Sequence, residues 1–134
     1  MTTPTAPTPT ERDQLLWDIF VTALEGGIDY WAEASRYRIW KRAADGTPTD
    51  SCDEDHRGFY ADISDIEQGG DYRVDRRIVA RGYRLATTTH RHDIRWSSGQ
   101  TPPLVITADS DWDFDASDAD AIIQLGLWGE VVYG

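Results

Sequence analysis

The chain reads as an α+β domain, with two or three helices packed on one face of a small antiparallel sheet, and three observations predict it. Near the start, Leu15, Leu16, Ile19, Phe20, Ala23 and Leu24 recur at helical spacing. Residues 35–42 and 58–66 instead alternate in twos and are rich in aromatic and β-branched side chains. Close to the end, Ala119, Ile122, Ile123 and Leu127 return to helical spacing behind an acidic run over 109–120. A chain of 134 residues, 40% of them hydrophobic, has material for one core and little room for a second. Residues 11–134 are therefore read as a single domain.

Residues 1–10 hold three prolines and no large apolar group after Met1, so a disordered tail is expected. Thr10 reads as the N-cap of a first helix with Glu11 and Asp13 in its opening turn, and Gly26 and Gly27 end it. Each large side chain buried on that stripe contributes roughly 1.5 to 3 kcal/mol before conformational entropy opposes it. In the strand over 35–42, Tyr37 and Ile39 share a face with Lys41, while Trp40 lies among the arginines. Residues 43–57 carry Asp45-Gly46, Pro48 and Asp53-Glu54-Asp55, which is turn chemistry in a loop longer than a hairpin needs.

Asp75 is placed to cap a second helix, from Arg76 to about Ala86, with Ile78, Val79, Tyr83 and Leu85 turned inward. Gly82 weakens that helix by about 1 kcal/mol relative to alanine unless something packs close to it. Ile94 and Trp96 predict a short strand, 98–103 a turn, and the β-branched run 104–107 another strand. Ser117 or Asp115 caps the third helix, and 130–133 form either a fraying turn or a closing strand.

The formal net charge of -11 argues against general nucleic-acid binding, which rests on clustered Lys and Arg, and leaves basic proteins as the more natural partners. No apolar run approaches the roughly 18 residues of a membrane span, and the N-terminus lacks the regions of a signal peptide. A soluble, cytoplasmic protein is the expectation. Cys52 is the single cysteine and forms no intramolecular disulfide.

Laid on the calcium-loop template, Asp109, Asp111, Asp113 and Asp115 fall on the first four ligand positions and Asp120 on the twelfth. Phe114 stands where the loop needs glycine, and an aspartate replaces the bidentate glutamate, so helix capping and a solvated acidic face compete with ion binding. Cys52, His56, His90 and His92 are zinc-ligand types in two local pairs, with exposed histidines as the plainer reading. No elbow, phosphate loop or paired carboxylates in an apolar pocket appears, so enzyme activity is not indicated and no cofactor is expected.

Between Tyr72 and Arg95 seven arginines stand against three nearby aspartates. Arg73, Arg77, Arg81 and Arg84 follow three- and four-residue steps, which makes one helix face a basic stripe. Such a stripe suits phosphate, a nucleotide or an acidic partner, unless it pairs with the acidic face of this molecule or another copy. Six tryptophans exceed what one small core takes in fully. Tyr30, Trp31 and Trp40, with Arg73, Arg77, Arg81 and Arg84, are therefore the candidate partner-binding residues, because exposed tryptophan and arginine are the composition of interface hot spots.

Residues 23–31, Ala-Leu-Glu-Gly-Gly-Ile-Asp-Tyr-Trp, and 118–134, ending Gly-Leu-Trp-Gly-Glu-Val-Val-Tyr-Gly, resemble segments of small uncharacterised accessory proteins encoded by phages of actinobacteria. The resemblance covers the two ends of the domain and not its middle. It implies expression in the host cytoplasm and brings no catalytic residues. The arginine bias agrees with a GC-rich source.

The leading expectation is a non-enzymatic protein that binds a host or phage macromolecule, most naturally a protein, through its aromatic and charged surface, with a homo-oligomer left open. The alternatives are an acidic inhibitor imitating nucleic acid, and a small metal- or nucleotide-dependent enzyme.

Overall fold

The computed structural model describes residues 11–38, 40–42, 48–52, 58–107, 109, 110 and 112–134, and between 37 and 57 it describes the course of the chain only. The tail over 1–10 and the Thr10 cap lie outside the described residues. Helix α1 (Glu11–Thr22) buries Leu16, Ile19 and Phe20 and runs on into a wide π-type turn, Ala23–Gly27, closed by the Ile28 N–H on the Ala23 carbonyl at 3.0 Å. Strands β1 (Ala32–Arg38), β2 (Trp40–Arg42), β3 (Pro48–Cys52), β4 (Tyr60–Asp65) and β5 (Asp71–Asp75) follow. Helix α2 (Arg76–Thr87) and, after a long irregular segment, helix α3 (Ala116–Trp128) complete the fold.

The architecture is α+β, as the periodicities predict. A three-stranded antiparallel sheet has the order β1-β4-β5, and β2 pairs with β3 in a separate two-stranded ribbon. Ala32 lies opposite Asp65 and Ile63 opposite Tyr72, with one irregularity between Ala34 and Arg36. Strict alternation in β4 sends Ala61, Ile63 and Asp65 inward, and Ala61 and Ile63 join Val74 and the helices in one core. On the outward face Asp62 collects Arg36 at 3.1 Å and Arg73 at 2.7 Å, and Arg73 lies 4.4 Å from the Tyr60 ring centre.

Helices α2 and α3 cross with almost nothing between them. A Cβ on Gly82 would collide with the carbonyl oxygen of Ile122, and one on Gly126 with that of Ile78. The glycine that weakens α2 as an isolated helix is thus what lets it reach α3. The crossing encloses Val79, Tyr83, Ile122 and Leu125, all fully buried or nearly so, while Leu127, Ile78 and Leu85 are half-buried at its margins.

Several elements differ from the sequence reading, among them the strand read over 35–42, which is divided between β1 and β2 in separate sheets. Strand β5 was not foreseen: Tyr72 and Val74 do alternate with Asp71, Arg73 and Asp75, but over only five residues, of which Val74 alone is buried. Strand β3 occupies part of the stretch read as loop. The run 104–107 is irregular, with Leu104 62% and Val105 72% exposed. A β-branched run becomes a strand only with a partner edge, and this one is held instead through Pro103, whose carbonyl accepts the Tyr83 hydroxyl. Ile94 and Trp96 also lie in irregular backbone, leading to Ser97, which is tied to Asp118.

Candidate functional site

The outward face of α2 is a row of guanidinium groups. Burial of Val79, Tyr83 and Ala86 fixes the rotation of the helix, and the three- and four-residue steps then place Arg77, Arg81 and Arg84 in solvent on the opposite side. Asp75 sets where the helix begins, its carboxylate accepting the Ile78 N–H at 3.1 Å. With Arg12, Arg73 and Arg76 these residues border an open groove of about 670 Å³, whose lining also includes Asp75 and the apolar Ile78 and Ala80.

These arginines are not equivalent. Arg76 is bound to the buried carboxylate of Asp13 at 2.8 Å. Arg73 holds Asp62, and that contact keeps Asp62 below the usual carboxylate range. Arg12 lies 5.8 Å from the Tyr83 ring centre. Arg77, Arg81 and Arg84 form no ion pair among the described residues. The aspartates counted against them in sequence are occupied elsewhere: Asp71 accepts from Ser64 and Asp93 faces His90.

Tyr30 and Trp31 belong to a different place. Trp31 is fully buried, packed 5.1 Å from Trp128 and 5.4 Å from Tyr133 between ring centres, so it is a core residue and not a surface anchor. Its indole N–H donates to Asp120 at 2.8 Å, and the Tyr30 hydroxyl donates to the same carboxylate at 2.6 Å. Gln124 donates to Asp120 at 2.9 Å, while its amide oxygen accepts the N–H groups of Val132 and Tyr133, both at 2.8 Å. The segment after α3 is thus pinned as irregular backbone, neither fraying nor a strand. Tyr133 ends the chain of contacts on Asp65 at 2.7 Å.

Burial raises the Asp120 pKa despite its three donors. Burial, followed by the bond to Asp120, also raises that of Tyr30. Burial and the neighbouring Asp65 push the Tyr133 phenol up to about 12. For Asp65, burial pushes upward, but the Gln68 N–H, the Tyr133 hydroxyl and the Glu67 N–H together hold it below its ordinary value. Gln124, Asp65 and Tyr133 were missed in the sequence reading, and Asp120 was placed there only as a calcium-loop position, because the Tyr30 and Trp31 partners of Asp120 and the Asp65 partner of Tyr133 are distant in the chain.

The side chain of Trp40 lies outside the described residues, as do Asp111, His56 and the side chain of Cys52. Asp115 is the N-cap of α3 in a reciprocal capping box with Asp118, receiving the N–H groups of Ser117 and Asp118 at 2.9 and 3.1 Å. Asp109 and Asp113 are exposed, and Asp118 and Asp120 are buried rather than part of a solvated acidic face. Asp118 accepts from the Ser97 N–H at 2.9 Å. His90 stands 3.2 Å from Asp93, and His92 is exposed. Among the described residues no three His, Cys, Asp or Glu side chains converge as a metal site would require.

Among the described residues no helix is long and apolar enough to cross a membrane. No protein-family model matches the chain, and no curated protein or solved structure is significantly similar to it.

Proposed function

We propose that this chain is a non-enzymatic accessory protein, of the kind encoded by phages of actinobacteria, that works in the host cytoplasm by binding an acidic segment of a partner protein in the arginine groove of α2. The observation that carries the reading is that Arg77, Arg81 and Arg84 share one exposed face and lack anionic partners among the described residues. A guanidinium presents a planar fork that grips a carboxylate with two parallel hydrogen bonds. Each exposed pair is worth about 0 to 1 kcal/mol, so charge alone gives weak binding, and apolar contact with Ile78 and Ala80 must add to it.

A protein segment fits better than a nucleic acid. The helix is 12 residues long, or about 18 Å at its rise per residue, and a duplex would run past both ends of the groove onto a chain of net charge -11. A short acidic segment meets only the groove, since other charges are screened beyond about 8 Å at physiological salt.

The reading is tested by fluorescence anisotropy with a labelled aspartate-rich and leucine-rich peptide and with a DNA duplex, at about 50 and about 300 mM NaCl. The peptide is expected to bind at low salt, to weaken at high salt, and to lose at least about tenfold in affinity with Arg77→Gln, Arg81→Gln and Arg84→Gln combined. Equal binding by the triple variant, or a preference for the duplex, contradicts the proposal.

A further inference from the structure

Asp120, which the calcium-loop template placed at its twelfth position, is a buried carboxylate on the wall of a cleft. It is 6% exposed and accepts from the Tyr30 hydroxyl, the Trp31 indole and the Gln124 amide, all of them neutral donors. No Arg or His pairs with it among the described residues. Two of its three bonds fall on Oδ1 and one on Oδ2, so one of about four lone-pair sites of the carboxylate has no donor among the described residues.

The cleft beside it measures about 630 Å³, within the range of small-ligand sites. Its walls include the apolar side chains of Ile94, Ala121 and Val131 and the rings of Tyr30 and Tyr133, with Asp93 and Arg95, one charge of each sign, also bordering it. Tyr30 is 47% exposed and lines the cleft while its hydroxyl is fixed on Asp120, so its ring is held close to the carboxylate. An asparagine at 120 would also accept from Trp31 without bringing a charge into the interior. What the charge adds is attraction for a cation reaching in from the cleft, strengthened where water is excluded.

We propose that this cleft is a binding site for a small organic cation, a primary amine on an apolar stem. Its ammonium donates to Asp120 and lies against the Tyr30 ring, and its stem rests on Ile94, Ala121 and Val131. The site is separate from the arginine groove and takes a ligand of the opposite charge, so either proposal stands or falls without the other.

Three probes of one shape and different charge test it: pentylammonium, pentanol and pentanoate. The wild-type protein is titrated with each while the Trp31 indole N–H resonance is followed by NMR, because that proton is bonded to the carboxylate the ligand reaches. Pentylammonium is expected to shift the resonance saturably and to raise Tm by about 2 °C or more at roughly 10 mM, while the other two do neither. Asp120→Asn should weaken pentylammonium binding at least about tenfold. If that variant fails to fold, the wild-type titration still decides. No saturable shift with pentylammonium, an equal shift with pentanol, or undiminished binding by a folded Asp120→Asn protein overturns the proposal.

Discussion

The fold treats its carboxylates and its guanidinium groups differently. Around α3 the acids are internal: Asp118 and Asp120 are buried and hydrogen-bonded, and Asp115 closes the helix N-terminus. Along α2 the bases after Arg76 are external, and Arg77, Arg81 and Arg84 are exposed without ion-pair partners among the described residues. The net charge of -11 therefore misdescribes the surface, because several of the acids behind it are structural. A contact surface is better sought where charge is exposed and unpaired than where it is most abundant in sequence.

The sharpest way to break the comparison is at the crossing that joins the two regions. Gly82→Ala puts a methyl group into the Ile122 carbonyl, and neither backbone can move without separating α2 from α3. A loss of about 3 kcal/mol or more is expected by urea titration, at the upper end for overpacking because the obstacle is main chain. A loss near zero would mean that the helices slide apart freely and that the face presented by α2 is not fixed.

The helices were legible in the sequence. The stripe from Leu16 to Phe20, the Asp75 cap and the apolar run after Asp118 each follow from local spacing and end chemistry. Strand β4 was legible too, since its alternation is uninterrupted. The arginine row followed from the helix period once the buried face was fixed. What escaped depends on distant parts of the chain. Tyr30 and Trp31 lie 90 and 89 residues from the carboxylate they share, and nothing local marks Trp31 as internal. Leu104 and Val105 have strand-forming side chains but no strand to pair with, and β5 is a strand by virtue of β4 beside it.

A smaller effect separates structural from free acids within one run. Asp115→Ala removes the acceptor for two backbone N–H groups and should cost about 0.5 to 2 kcal/mol. Asp113→Ala, at an exposed position, should change stability by less than about 0.5 kcal/mol. Matching urea midpoints for the two variants would show that the cap does not stabilise α3.

Smaller again is the response to alkali. A phenol in the unfolded chain titrates near pH 10, whereas that of Tyr133 is pushed up to about 12 by burial and by Asp65. The folded state holds the proton more tightly, so this contribution is whole below about pH 10 and is lost as the pH rises through about 12. Thermal melts across that window should show falling Tm, with a shallower fall for Tyr133→Phe. Tyr30 and Tyr83, whose phenols are raised as well, supply the remainder. Identical slopes would show that the Tyr133–Asp65 contact does not form.

The central claim, that the free arginines of α2 are the contact surface, is tested most directly by the rate at which each guanidinium reacts with an arginine-specific dicarbonyl, read peptide by peptide by mass spectrometry. Arg77, Arg81 and Arg84 are expected to react fastest, and Arg73 and Arg76 slowly because Asp62 and Asp13 hold them. An acidic peptide should protect the fast three while leaving the melting temperature of the modified protein close to that of the untreated one. Uniform rates across all five, or protection that falls elsewhere than on Arg77, Arg81 and Arg84, would contradict it.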